Sequence, residues 1–156
     1  MKKYTFLLII IAFLSACGKK ETPFDPAAQA ATDDAAIQAY IKTNNIPVTK
    51  NASGLYYQII TQGTGVNPTA SSTVSANYTG KLLNGSIFDQ TTASTGSRSF
   101  PLNQVIQGWT IGIPLVKVGG RILLIIPSGL GYGNSDKGSI PANSVLVFTI
   151  DVLSSN

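Results

Sequence analysis

The sequence contains no histidine and only one cysteine. Without an imidazole it can form neither a Ser-His-Asp nor a Cys-His nucleophile pair, and it lacks an imidazole general base and the common His-ligated zinc sites. One cysteine excludes an internal disulfide and a thiolate metal cluster. Charge is scarce as well, with Asp, Glu, Lys and Arg making up 12% of the chain against 44% apolar residues. Over 156 residues, that balance describes one globular domain with some length to spare rather than a disordered chain. Long apolar runs are also missing. The unbroken stretch from Phe6 to Leu14 has nine residues, well short of the roughly 20 that a spanning helix needs.

The formal charge of +4 invites a nucleic-acid reading until the basic residues are located. Lys2 and Lys3 precede the short apolar run, and small residues Ser15 and Ala16 follow it, which is the build of a secretory signal. Leu14-Ser15-Ala16-Cys17 further resembles a bacterial lipoprotein signal, in which Cys17 becomes the lipid-bearing first residue, acylated by a fatty acid such as palmitate. Removal of residues 1–16 takes away two lysines and no acids, leaving nine basic against seven acidic residues. No cluster of Lys and Arg interleaved with aromatics remains, so nothing motivates nucleic-acid binding. The lipid places the protein at the cell envelope, and Gly18 after Cys17 favours the outer membrane facing the periplasm.

From Gly18 to about Ala36 the chain is small and polar, with Pro23, Pro26 and many alanines, and residues 17–36 read as a lipidated flexible tether. Asp33 and Asp34 are then candidate caps for a short helix from Ala35 to Asn45, where Ile37, Tyr40 and Ile41 share one face. That face either packs on the main domain or meets a second copy, so the oligomeric state stays open. Residues 37–52 are this helix and a linker, and residues 53–156 form the main domain.

Within that domain strands dominate. Leu55 to Ile60 is apolar and aromatic, and Val74, Ala76 and Tyr78 alternate with polar residues on a half-buried strand. Asn84-Gly85 predicts a two-residue hairpin loop returning into Ile87-Phe88-Asp89. A helix is expected over Asn103 to Ile113, with Val105, Ile106, Trp109 and Ile113 along one side. Arg121 to Ile126 is a short apolar strand, and Val145 to Leu153 closes the chain with Leu146, Phe148, Ile150 and Val152 on one face. About six strands with one short helix predict an α+β domain, an antiparallel sheet wrapped around that helix.

Tyr78-Thr79-Gly80, Gly85-x-x-Phe88-Asp89, Val105-Ile106-Gln107-Gly108-Trp109, Val118-Gly119-Gly120, Pro127, Tyr132-Gly133, Ile140-Pro141 and Leu146-Val147-Phe148 follow one another in this chain. In order and approximate spacing this series resembles the FKBP-type peptidyl-prolyl cis-trans isomerases over about Gly54 to Leu153. The resemblance implies an enzyme that rotates Xaa-Pro bonds in exported polypeptides without a cofactor or metal. It implies a pocket with Trp109 as floor and Tyr78, Phe88, Val105, Ile106, Tyr132 and Phe148 as walls. It also implies that the Ile106 N–H and the Tyr132 hydroxyl hold substrate carbonyls, with Asp89 at the edge as an orienting group bonded to the Tyr78 hydroxyl.

Such a role agrees with the missing histidines, because rotation about an amide makes and breaks no covalent bond. The residues by themselves also allow blander roles: Tyr78, Val105 and Phe148 as core, Trp109 as core or floor, and Asp89 as a turn or cap residue. Gln90 to Arg98 is Ser/Thr/Gly-rich, and Asn134 to Ser139 carries Asp136 and Lys137. Both departures from the family bear on substrate preference and on affinity for macrolide inhibitors. A low-activity binding module or holdase chaperone with the same apolar groove is the alternative function.

Overall fold

The computed structural model describes residues 23–156, so the signal segment expected over 1–16, Cys17 and the start of the expected tether lie outside the described residues. Two helices and seven strands follow in order: α1 (Pro26–Asn44), β1 (Thr49–Lys50), β2 (Tyr56–Thr61), β3 (Thr73–Leu82), β4 (Ile87–Gln90), β5 (Arg98–Pro101), α2 (Gln107–Gly112), β6 (Arg121–Ile126) and β7 (Leu146–Ser155). All pairings are antiparallel, in the order β1-β2-β6-β7-β3-β4, and β5 also pairs with β3. One long side of β3 lies along β7, while its other side is shared by β5 at Thr73 to Ala76 and β4 at Thr79 to Lys81. This is the expected α+β arrangement, an antiparallel sheet wrapped around a short helix.

Sequence period explains which face meets what. On β3, Val74, Ala76, Tyr78 and Gly80 are buried and their neighbours are less so, as strand pleating requires. On β7, Leu146, Phe148, Ile150 and Val152 join them in the main core, together with Ile122, Leu124 and Ile126 of β6 and Trp109 of α2. The opposite face of β6 and β7 is also covered. Leu123, Ile125 and Val147 pack there with Tyr56 and with Ile37, Tyr40 and Ile41 of α1. A strand buried on both faces has no need to alternate, which is why β6 reads as an unbroken apolar run.

Helix α2 sits very close to its strand. A Cβ on Gly108 would come within 2.5 Å of Ile126 Cγ2, and one on Gly112 within 2.6 Å of Leu124 Cδ2. Two glycines one turn apart therefore let the helix backbone rest on β6 side chains, which any larger residue would push away.

Three local expectations change. The tether expected over 17–36 gives way to helix from Pro26 onward, and Asp33 and Asp34 lie inside α1 rather than capping it. Asp25 is the cap, its carboxylate accepting from the N–H groups of Ala27 (2.9 Å) and Ala28 (3.3 Å). Pro26 at the first helical position and the alanines that follow favour helix, although their composition reads like a linker. The expected end near Asn44 stands, and Asn45 closes the helix at φ 51°.

The helix expected over Asn103 to Ile113 is broken. Leu102–Gln104 forms a 3₁₀ turn, Val105 is extended, and α2 proper starts only at Gln107. Two successive β-branched residues, Val105 and Ile106, sit at the break, where their stiff side chains resist helical crowding. The Thr110 hydroxyl donates to the Leu102 carbonyl at 2.6 Å and holds the two pieces together. At the hairpin, the Gly85 N–H donates to the Leu82 carbonyl and the Leu82 N–H to the Ser86 carbonyl. The loop therefore has three residues with Gly85 at φ 89°, rather than the expected two.

Candidate functional site

The open end of the main core forms a cleft of about 590 Å³. Each wall comes from a different element. Tyr78 points into the core from β3, Phe148 stands beside it on β7, and Trp109 rises from α2. Phe88 arrives by a bulge: Gly80 pairs with Asp89 and Lys81 with Ile87, so Phe88 is the extra residue of β4. A bulge re-aims a side chain, and here it turns Phe88 onto Phe148, ring centroids 5.4 Å apart at 81°. That meeting needs a glycine between the strands. A Cβ on Gly80 would lie 2.6 Å from Phe148 Cε1 and 2.7 Å from Phe88 Cε2.

The rings form an edge-to-face cage. Trp109 lies 5.3 Å from Tyr78, 5.3 Å from Phe148 and 5.1 Å from Phe100, each at an interplanar angle of at least 75°. This is the favourable aromatic geometry, and it fixes a rigid apolar floor. Trp109 is only 4% exposed, and its indole N–H has no acceptor among the described residues. Ile106, the residue before α2, has an N–H with no protein acceptor among the described residues, as a helix start leaves it.

At the rim a small polar network closes one side. The Tyr78 hydroxyl donates to Asp89 Oδ2 at 2.5 Å, and Arg98 Nη1 donates to the Tyr78 oxygen at 3.0 Å and to Asp89 Oδ1 at 3.3 Å. Burial, reinforced by the hydrogen bond to Asp89 and its negative charge, pushes the Tyr78 hydroxyl up to about 12, with Arg98 opposing the shift. Tyr78 thus stays a neutral donor throughout the physiological range. Both oxygens of Asp89 are engaged by these two donors, which fixes the carboxylate against Tyr78 and Arg98.

Tyr132 stands on the loop after β6, half-exposed at 38%, with Lys137 Nζ 5.9 Å from its ring centroid. All eight residues singled out for the pocket, Tyr78, Phe88, Asp89, Val105, Ile106, Trp109, Tyr132 and Phe148, line this one cleft. Five others line it too: Phe100, Gln104, Lys137, Ser139 and Ile140. Phe100 escapes a sequence reading because β5 is only four residues long and its inward direction follows from pairing with β3. Arg98, which completes the rim, has a weak signal of its own as the sole charged residue in a Ser/Thr/Gly segment. Among the described residues no three His, Cys, Asp or Glu side chains cluster as metal ligands. Chemically, the cleft can seat a small apolar ring on aromatic faces and offer N–H and O–H donors to neighbouring carbonyls.

Comparison with known proteins agrees with that description. The family model for the FKBP-type peptidyl-prolyl cis-trans isomerases matches residues 65–153. The chain is 46% identical over 106 residues to the FKBP-type peptidyl-prolyl cis-trans isomerase FkpA of Aeromonas hydrophila, covering 68% of this chain and 40% of that protein. It is similar in structure to FkpA from Escherichia coli, with a TM-score of 0.73 and 37% identity over 83% of this chain and 62% of that one. A peptidyl-prolyl cis-trans isomerase from Pseudomonas syringae superposes with a TM-score of 0.70 at 29% identity, over 86% of this chain and 98% of that one. The chain spans about two fifths of the length of the curated relatives it matches.

Proposed function

The chain belongs to the FKBP-type peptidyl-prolyl cis-trans isomerases, and from that premise we propose that it catalyses rotation about Xaa-Pro bonds in exported polypeptides. The observation that carries this reading is the edge-to-face cage of Tyr78, Phe100, Trp109 and Phe148 opening into a cleft that Ile106 lines, its N–H unpaired among the described residues. The proline ring rests on Trp109, between Phe88, Val105, Ile106 and Phe148. The Ile106 N–H holds the carbonyl after the proline, and the Tyr132 hydroxyl steadies the chain on the other side.

The energetics suit such a site. Amide rotation faces a barrier of about 18–20 kcal/mol because resonance must be lost, and each 1.4 kcal/mol removed is tenfold in rate. Resonance puts negative charge on oxygen and positive charge on nitrogen in the planar amide, a form that water stabilises. Moving the amide into an aromatic cleft withdraws that stabilisation, and donors fixed for the twisted geometry bind it better than either planar isomer. No acid, base or nucleophile is required, which fits a chain without histidine.

Cys17 carries the lipid in this proposal and anchors the enzyme to the cell envelope, at the outer membrane facing the periplasm. The support is the sequence Leu14-Ser15-Ala16-Cys17-Gly18 behind its short apolar run. Macrolides that imitate a prolyl ring compete for the same cleft, with Lys137 on its rim setting their affinity.

The purified chain is expected to accelerate cis-to-trans conversion of an Xaa-Pro test peptide. A rate equal to the uncatalysed one, with the peptide still bound, would establish the holdase reading instead. Metabolic labelling with palmitate is expected to mark the wild-type chain and not a Cys17→Ser variant; an unlabelled wild type refutes the anchor.

A further inference from the structure

Helix α1 carries a carboxylate that the proposed chemistry does not use. Asp33 is 3% exposed and lies in the middle of α1, away from any cap. Its Oδ2 accepts from both the backbone N–H and the hydroxyl of Ser128, each at 2.7 Å, and its Oδ1 accepts from Gln29 Nε2 at 2.7 Å. All three donors are neutral. Burying a carboxylate is costly, and docking α1 does not need one, because Ile37, Tyr40 and Ile41 already pack on Tyr56, Leu123 and Val147. A side chain so placed contributes direction rather than adhesion.

The direction is passed through Ser128, whose N–H and carbonyl belong to the two peptide groups on either side of its Cα. While its N–H points to Asp33, the Ser128 carbonyl accepts from the N–H of Gly131 at 2.9 Å and of Gly133 at 2.8 Å. Those two glycines bracket Tyr132. The Gly133 carbonyl in turn accepts from the Asn143 N–H at 2.8 Å, closing the base of the loop that holds Lys137, Ser139 and Ile140. Ser128 is 1% exposed, whereas Tyr132 itself is more than a third exposed and has no side-chain hydrogen bond to the protein among the described residues. The place of the Tyr132 ring is therefore set by its backbone, which hangs on Ser128, a residue that α1 grips from 95 residues away at both its N–H and its hydroxyl while its carbonyl, in the next peptide group, holds the loop.

We propose that Asp33 is a positioning residue of the prolyl-isomerase cleft, holding Ser128 at its N–H and hydroxyl so that the loop on its carbonyl turns Tyr132 to the substrate, and that α1 is thereby a working part of the catalytic unit. This rests on the reading above that Tyr132 contacts the substrate.

The test is a double-mutant cycle on the full chain, with kcat/KM measured on an Xaa-Pro peptide and amide hydrogen exchange measured in parallel. Asp33→Ala is expected to lower kcat/KM about tenfold, the size of loss that a small displacement of a contact group produces. On a Tyr132→Ala background the same change is expected to cost less than about twofold, since the group being positioned is gone. The Gly131 and Gly133 amides exchange faster in Asp33→Ala while those of β6 and β7 do not. Asp33→Asn, which keeps an acceptor for the Ser128 N–H, restores most of the activity. Equal losses in both backgrounds, or unchanged exchange at Gly131 and Gly133, overturn the proposal. Should Asp33→Ala fail to fold, Ser128→Ala, which removes only the hydroxyl contact, gives the same two readouts with smaller effects. An inactive wild type refutes the isomerase reading instead, and the exchange data still judge the latch.

Discussion

Truncating Phe88 separates a pocket wall from a core residue, because its neighbour supplies an internal control. Phe88 is the bulged residue of β4, half-buried, with its ring edge against Phe148 at 5.4 Å. Ile87, one residue earlier, is 55% exposed and lines no part of the cleft. Phe88→Ala removes one aromatic pair, worth about 0.5–1.5 kcal/mol, plus part of the burial of a ring that is only half covered. We expect a stability loss of about 1–2 kcal/mol, below the 3–5 kcal/mol usual for a fully buried Phe and small enough to leave a cooperative fold. The effect on catalysis is larger. A wall that buries the prolyl ring contributes on the scale of one apolar side chain, about 1.5–3 kcal/mol, which converts to a fall of about 10- to 100-fold in kcat/KM. Ile87→Ala is expected to change neither quantity. The assay is the rate of cis-to-trans conversion of an Xaa-Pro peptide beside a denaturant titration of each variant. A Phe88→Ala enzyme within twofold of wild type would refute the placement of the pocket; so would an activity loss fully accounted for by the unfolded fraction.

Gly80→Ala is expected to cost about 1–3 kcal/mol, because its methyl would stand 2.6–2.7 Å from both Phe148 and Phe88, and to reduce activity by spreading those rings. Thermal unfolding and the peptide assay check it, and wild-type values for both would show that the cage is looser than its geometry. Tyr78 is expected to titrate near pH 12 in an ultraviolet phenolate titration, whereas a phenol appearing at 10 would contradict the rim network. Its raised pKa has a defined sign for stability. The contribution is fully present below pH 10 and is lost as pH rises through about 12, so Tyr78→Phe should flatten that alkaline loss. Asp34 is held below the usual carboxylate range by Lys50 first and by the Tyr56 hydroxyl second. Its contribution is present above the ordinary carboxylate pKa and fades as pH falls through the lowered value, so Asp34→Asn should reduce the acid sensitivity of unfolding.

Much of the sheet was legible because strand period is a strong local signal. Val74, Ala76 and Tyr78 alternate in the sequence and alternate in burial, and Leu146, Phe148, Ile150 and Val152 do the same. Elements that failed to show themselves did so for identifiable reasons. The first half of α1 is Ala-rich with one buried Asp and little apolar contrast, so a helix there looks like a tether until Asp25 is recognised as its cap. The helix expected to start at Asn103 is interrupted where Val105 and Ile106 meet, although their spacing to Trp109 and Ile113 is helical. Periodicity records which residues face the core. It does not record whether the backbone between them is continuous.

The site obeys the same division. Residues whose side chains lie on regular strands or just beside the tryptophan were visible as a series, whereas Phe100 and Arg98 depend on a pairing that no local pattern encodes. Arg98 matters most in this respect, since it is the cation that sits over Tyr78 and touches Asp89 from nine positions further along the chain. The break at Val105 and Ile106, a failure of the helical expectation, makes Ile106 the residue before α2, so its N–H is one of those that a helix start leaves without an intrahelical partner. A continuous helix from Asn103 would have left the same N–H among its first four, but it would have turned Val105, which the break leaves extended. The departure from regular structure thus changes the course of Val105 and not the pairing of the Ile106 N–H, and it falls where two β-branched residues stand immediately before a glycine-faced helix that must lie flat on β6.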